Sequence, residues 1–262
     1  MATKLKVNEI QNHLRAKYFG RFILFSHEVD STNRLAEELA IYGAHEGTVV
    51  ISEVQTKGRG RLHRKWISPT GGLWFSLILR PALQLKEVPK LAFVAGLAVA
   101  EILCELYDLD VKTKWLNDVL VNERKICGIL VRTNTTIREV NFVVIGLGIN
   151  ANFDVKEVFP VKLASTATSL ENELGRKVQL EKLFIALLER LENLYDLFTN
   201  EGFDPILQKW KKHAGFLGRR IEVKDAAKRI DGVALDVDNE GALVIRLNDG
   251  TLKRTLVGDI FV

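Results

Sequence analysis

The sequence predicts an α+β protein: a mixed β-sheet flanked by helices, followed by a small all-β unit. Three observations predict it. Strand-like and helical segments do not alternate regularly through the first 215 residues, which disfavours a doubly wound parallel sheet. Residues 88–107 and 179–198 are long apolar or amphipathic stretches of the kind that cover a sheet as helices. After Gly215 the chain holds only short strand-like segments broken by glycine turns.

Taken in order, 21–29 (RFILFSHEV) reads as a strand entering the domain. Asp30-Ser31-Thr32-Asn33 then supplies N-cap chemistry, and Leu35, Ala36, Leu39 and Ala40 follow at helical spacing until Gly43 closes the helix. The β-branched run 48–54 is the next strand, and after Gly71-Gly72 the run 73–79 is another, ended by Pro81. Residues 88–107 are rich in Ala, Leu and Val on most sides, as a helix buried against a sheet must be. Strands at 111–115, 118–121 and 126–132, with a turn at 122–124, make a hairpin pattern, and 140–145 is a further strand. Residues 152–178 read as irregular, 179–198 as an amphipathic helix and 203–213 as a shorter one. Strands at 220–224, 230–236, 242–247 and 251–256, the later ones separated by DNEG and NDG turns, suggest an SH3-like barrel. The expected division is therefore 1–215 and 216–262.

Composition narrows the function class. An apolar fraction of 47% with 27% charged residues is that of an ordinary soluble globular protein, and a net charge of +4 spread among acids does not demand nucleic acid. The N-terminus lacks the apolar core of a signal peptide, and the apolar stretch 91–106 is interrupted by Glu101 and short for a bilayer. Cys104 and Cys127 have neither CxxC nor Cys/His spacing, so they read as reduced thiols of a cytoplasmic protein.

The segment 55–66, QTKGRGRLHRKW, carries the most chemical information. It sets Lys57, Arg59, Arg61, Arg64 and Lys65 around two glycines with no acid among them. Glycine lets backbone approach a ligand, and arginine forks onto carboxylate or phosphate oxygens. Alone, the segment reads first as a plain basic surface loop. Four other segments stand near strand ends: Ser31-Thr32-Asn33, Lys114-Trp115-Leu116-Asn117-Asp118, Arg124 to Gly128, and Gly146-Leu147-Gly148-Ile149-Asn150. Each has a bland reading, as helix cap, turn with a packed tryptophan, or exposed hairpin lysine. The last satisfies a loose dinucleotide-binding pattern, but no helical period follows Ala151, so that reading is rejected. No GxxxxGK[ST] loop is present.

Together and in this order, DSTN, QTKGRGRLHRKW, KWLNDVLV (114–121), RKICGILV (124–131), GLGIN and the all-β tail resemble the biotin–protein ligase family (biotin–[acetyl-CoA-carboxylase] ligases). The resemblance implies a catalytic domain related to class II aminoacyl-tRNA synthetases and an SH3-like domain. It implies formation of biotinyl-5′-AMP from biotin and ATP, with Mg²⁺ offsetting phosphate charge through ligands not assigned. It implies transfer of biotin to a lysine of a carboxylase biotin carrier protein. A homodimer is the family expectation; only about 20 residues precede the first strand, too few for a winged helix, so no DNA or membrane partner is expected.

Residue by residue, the resemblance places biotin on Ser31, Thr32, Asn33, Gln55, Gly58, Arg59, Gly60, Arg61, Lys125 and Gly128. It places ATP on Arg59, Arg61, Trp66, Lys114, Asn117, Lys125 and Asn150, with Trp66 over the adenine face and Asn150 at its edge. Arg59, Arg61, Lys125 and Asp118 are the implied catalytic set, Asp118 receiving the incoming lysine. Arg64 and Lys65 are read as solvated charge. Two departures stand out: Leu116 where the family usually has proline, and Arg132 where it usually has glutamate. The rival readings are a lipoate–protein ligase, which shares the fold and the adenylation chemistry, a basic nucleic-acid-binding module, and an inactive scaffold, disfavoured because every proposed contact residue is present.

Overall fold

Alternating burial explains how the strands stack. In the computed structural model, which describes residues 5–136, 139–224 and 229–261, a seven-stranded sheet runs in the order β1-β2-β3-β7-β6-β5-β4. Its strands are β1 (Ile23–Val29), β2 (Val49–Gln55), β3 (Leu73–Leu79), β4 (Val111–Lys114), β5 (Asp118–Val121), β6 (Arg124–Thr135) and β7 (Val140–Ile149). β1 and β2 are parallel, joined through α2 (Thr32–Ile41), and the remaining pairs are antiparallel. The sheet is therefore mixed, as expected.

β3 is buried along its whole length because both faces are covered. Leu73, Phe75, Leu77 and Leu79 join the main core with α3 (Leu91–Tyr107), α7 (Leu180–Glu201) and α8 (Asp204–Lys211). On the opposite face Ile78, with Val50 and Val144, meets Ala36 and Ala40 of α2. The period of two thus assigns one face to three helices and the other to α2 plus whatever lies beyond its N-terminus. β7 continues through Gly146-Leu147-Gly148 to Ile149, four residues further than expected. Its ladder with β3 is unbroken there, with Ser76 opposite Gly146 and Trp74 opposite Gly148.

The irregular stretch 152–178 contains three one-turn helices, α4 (Val155–Val158), α5 (Val161–Ala164) and α6 (Leu170–Leu174), and α1 (Val7–His13) was not foreseen. The C-terminal strands β8 (Arg220–Lys224), β9 (Arg229–Val237), β10 (Leu243–Arg246), β11 (Leu252–Thr255) and β12 (Asp259–Phe261) form an antiparallel sheet in the order β11-β10-β9-β8-β12. β12, too short to show a pattern in the sequence, is the addition. This sheet is not a loose appendage. Ile221, Val223, Ala234, Leu243, Ile245 and Ile260 belong to the same core as α3 and α8, and the Trp115 indole donates to the Gly241 carbonyl at 3.0 Å.

One buried carboxylate ties the N-terminal segment to α7. Glu192, 3% exposed, accepts from the backbone amides of Lys17 at 2.5 Å and of Tyr18 and Phe19 at 2.8 Å. Beside it the Tyr18 hydroxyl donates to Asp196 and the Tyr195 hydroxyl to Glu46, and burial followed by these carboxylates pushes both phenols up. Glu192→Ala leaves the three amides without their acceptor and is expected to destabilise the protein by about 2–4 kcal/mol, a fall in Tm of roughly 5–15 °C. Glu189→Ala, which removes a single exposed contact to the Arg15 amide, is expected to cost less than about 1 kcal/mol. Thermal melts of the two variants give the comparison.

Candidate active site

Parallel pairing of β1 and β2 brings two sequence motifs to one edge. With Val29 opposite Gln55, the turn after β1 and the loop after β2 emerge side by side. α2 begins at Thr32, yet the Ser31 side chain makes no capping hydrogen bond. Ser31 thus holds the N-cap position without its side chain capping, and the residue lines a cavity of about 430 Å³. The Thr32 amide and hydroxyl both donate to Gln55 Oε1, at 2.8 and 3.1 Å, while Gln55 Nε2 donates to Ser68 Oγ at 2.8 Å. Asn33 Nδ2 donates to the Leu130 carbonyl at 3.2 Å. Ser31, Thr32, Asn33 and Gln55 make a neutral, hydrogen-bonding end of the cavity.

The floor is glycine. A Cβ on Gly146 would sit 1.8 Å from Asn33 Oδ1, and one on Gly148 would sit 2.5 Å from Trp66 Nε1. On neighbouring β6, a Cβ on Gly128 would come within 2.9 Å of the Trp66 ring. Bare backbone at these three sheet positions makes room for Asn33 and for the indole. The GLG pattern is thus a binding floor inside a strand, with no helix N-terminus behind it.

The cationic loop folds back on itself. The Trp66 amide donates to Gly58 O at 2.9 Å and the Gly60 amide to Arg64 O at 2.7 Å, with a one-turn 3₁₀ segment at Arg61–His63. Gly58 was expected at biotin but does not line the cavity. Its role is closure of the loop, since a Cβ there would meet Trp66 O at 2.4 Å. Arg59, Gly60 and Arg61 do line it. Arg61 Nη1 donates to Asn117 Oδ1 at 2.9 Å and to Gly258 O at 3.4 Å, and stands 3.8 Å from Asp259 Oδ1. Arg64 forms an ion pair with Asp259, and both Arg64 and Lys65 line the cavity. Both remain exposed, in line with a reading as solvated charge, and for Arg64 β12 adds a carboxylate that no local pattern announces.

Opposite the loop, the β5–β6 hairpin presents Lys125 and Asp118, whose Nζ and Oδ1 are 2.7 Å apart. Lys125 Nζ also lies 5.1 Å from the centre of the Trp66 ring. Burial pulls the Lys114 ammonium below the ordinary lysine range, opposed by the nearby Asp118 carboxylate. At the far end Asn150, 1% exposed, donates to Thr168 O at 2.9 Å, while its Oδ1 is buried without a partner. Trp66 Nε1 is likewise buried and unpaired. Both residues line the cavity, and orphaned buried polar atoms in such a wall point to a ligand that completes them.

Of the predicted residues, then, Ser31, Thr32, Asn33, Gln55, Arg59, Gly60, Arg61, Trp66, Lys114, Asn117, Asp118, Lys125, Gly128 and Asn150 share one cavity. Sequence reading missed Asp259 and Phe261 from β12, and Phe159, Leu163 and Ala167 from the segment between β7 and α7. Only the apolar residues of that segment carried a signal, as hydrophobics in an otherwise irregular stretch. The two departures are accommodated: Arg132 Nε pairs with Glu37 at 2.9 Å, and Leu116 follows Trp115 through a cis peptide. Among the described residues no group of three or more His, Cys, Asp or Glu is arranged to hold a metal, and no helix is long and apolar enough to cross a membrane.

The chain matches known proteins along most of its length. Residues 25–150 match the biotin/lipoate A/B protein ligase family, and residues 216–262 match the biotin protein ligase C-terminal domain. The chain is 35% identical to the bifunctional ligase/repressor BirA of Bacillus subtilis over 258 residues, covering 98% of this chain and 79% of that protein. It is 32% identical to the biotin–[acetyl-CoA-carboxylase] ligase of Paracoccus denitrificans, covering 83% and 91%. The structure of the Aquifex aeolicus biotin protein ligase in complex with biotin and ATP superposes with a TM-score of 0.79 at 30% identity, covering 92% of this chain and 98% of that one. A neutral pocket joined to a cationic one, a glycine floor between them and full-length similarity lead to one conclusion: this chain belongs to the biotin protein ligase family.

Proposed function

We propose that this protein activates biotin with ATP and passes it to a lysine of a carrier protein. In the first step a biotin carboxylate oxygen attacks the α-phosphorus of ATP. The bond to the β-phosphate oxygen breaks, giving biotinyl-5′-AMP and pyrophosphate. In the second, a lysine amine attacks the acyl carbon, the carbon–oxygen bond to phosphate breaks, and AMP leaves as the amide forms.

The observation that carries this reading is the polarity of the cavity along its length. Ser31, Thr32, Asn33 and Gln55 suit an uncharged ring with hydrogen-bonding groups, and Arg59, Arg61, Lys114 and Lys125 suit a carboxylate meeting a polyphosphate. Two anions repel, so fixed cations where charge gathers are the main catalytic resource. The unpaired Asn150 Oδ1 suits the exocyclic amine of adenine, and Trp66, already under the Lys125 ammonium, suits the flat base. Asp118, at hydrogen-bond distance from Lys125, is placed to orient an incoming ammonium and take its proton. Mg²⁺ belongs to this scheme as the counter-ion of ATP and thus as part of the substrate.

The reading extends to a cytoplasmic enzyme acting on the carrier domain of a biotin-dependent carboxylase, in line with the name of the Paracoccus relative. Biotin-dependent ATP–pyrophosphate exchange tests the first step. Exchange is expected with biotin and not with lipoate; exchange with lipoate alone moves the protein to the sister activity, and exchange with neither acid removes the enzyme reading.

A further inference from the structure

β3 reads Leu-Trp-Phe-Ser-Leu-Ile-Leu, and every residue in it is fully buried. Ser76 is the one hydroxyl in this apolar run. It does not line the cavity but lies directly beneath the turn that does, on the strand next to Gly146. Its Oγ is 2.8 Å from Thr32 Oγ1 and 2.8 Å from Asn33 Oδ1. A buried hydroxyl in the middle of a sheet is retained only if its bonds are made, and here both go to residues of the neutral end.

Three oxygen–oxygen contacts link this corner: Thr32 to Gln55 at 3.1 Å, Ser76 to Thr32 at 2.8 Å and Ser76 to Asn33 at 2.8 Å. Both amide side chains are oriented by other partners, since Asn33 Nδ2 donates to Leu130 O and Gln55 Nε2 to Ser68 Oγ. Their oxygens therefore face the corner. The Thr32 amide hydrogen is already spent on Gln55 Oε1, so only the Thr32 and Ser76 hydroxyls bring hydrogens to the three oxygen–oxygen contacts, two for three. Whichever way they turn, the corner is short of one donor and rich in lone pairs.

We propose that Ser76 is a positioning residue that holds Thr32 and Asn33 as acceptors, so that this end of the cavity selects a ring carrying N–H groups. This rests on the ligase reading and deepens it. A ureido ring brings two N–H donors and completes the corner, whereas a dithiolane ring brings none and leaves the lone pairs buried and unmet. Selection between these two acids is then set from below the site, by a residue with no place in the cavity wall.

The test compares biotin with its two cyclic carbamate analogues, in each of which a ring oxygen replaces one ureido N–H without adding bulk. Pyrophosphate exchange is measured for wild type, Ser76→Ala and Ser76→Cys. In Ser76→Ala the KM for biotin is expected to rise about tenfold, the worth of one hydrogen bond, with the KM for ATP within about twofold. The preference of the wild type for biotin over at least one carbamate is expected to shrink about tenfold in Ser76→Ala, because the two losses fall on one network and do not add. Ser76→Cys keeps a weak donor at similar volume and is expected to fall between the two; it decides the matter if the alanine variant does not fold. An unchanged preference in active variants, or a parallel rise in both KM values, overturns the role of Ser76 alone. Absence of biotin-dependent exchange in the wild type overturns the ligase reading and this role with it.

Discussion

Lys125→Ala is expected to lower biotin-dependent pyrophosphate exchange by about 10²–10³-fold in kcat/KM, the largest effect of any single substitution in this protein. Two causes add. The ammonium lines the cavity 5.1 Å from the Trp66 ring centre and is the cation proposed to meet the biotin carboxylate and the adenylate. Its removal also strips Asp118 of the partner 2.7 Å away, so a bare carboxylate faces the incoming anions. Lys125→Arg keeps the charge but replaces a point donor with a planar fork in a space closed by Trp66, and is expected to recover less than about a tenth of the lost rate. Exchange kinetics of the two variants supply the check; a rate within about threefold of wild type in Lys125→Ala removes this lysine from the first step.

Arg61→Ala is expected to act on retention as well as on rate. Arg61 joins the cationic loop to Asn117 of the catalytic sheet and to Gly258 at the start of β12, so one side chain spans three parts of the chain. Without it the loop loses its tie at the cavity mouth, and water reaches a mixed anhydride that needs exclusion from solvent. The expected result is a fall of about 10–100-fold in adenylate formation and a comparable rise in the rate at which biotinyl-5′-AMP leaves, each being the loss of one or two charge-assisted bonds. Labelled intermediate remaining with the protein after rapid desalting measures the second quantity. Leu62→Ala, at the exposed apex of the same loop, is the control and is expected to stay within about twofold of wild type. Equal retention in wild type and Arg61→Ala would show that the loop does not hold the adenylate in.

Both expectations draw on residues visible in the sequence, but only some of their partners were. Lys125, Asp118 and Asn117 stand within nine positions of one another on a hairpin, and a two-residue turn at Asn122-Glu123 puts Lys125 near Asp118 by local geometry. Such pairs can be read from a linear pattern. Asp259 lies 195 positions from Arg64, on a strand of three residues, and nothing near it in the chain foretells a cation opposite. Gly58 departs from its neighbours for a related reason. Its neighbours in sequence contact the cavity, but loop closure turns its missing Cβ toward Trp66 O instead.

Fold and family lay in the sequence because they rest on short-range information. Periods of 2 and 3.6 residues, turn chemistry and five motifs in fixed order determined a mixed sheet with covering helices, a C-terminal strand set, a cationic loop and a hairpin lysine. The cavity itself was decided only by tertiary structure. Parallel pairing of β1 with β2 set Thr32 against Gln55, antiparallel pairing of β3 with β7 set Ser76 beside Gly146, and a shared core set Asp259 against the cationic loop. Each is a meeting of residues far apart in the chain, fixed by sheet register and core packing. No local pattern encodes either, because both depend on which distant surfaces are buried together.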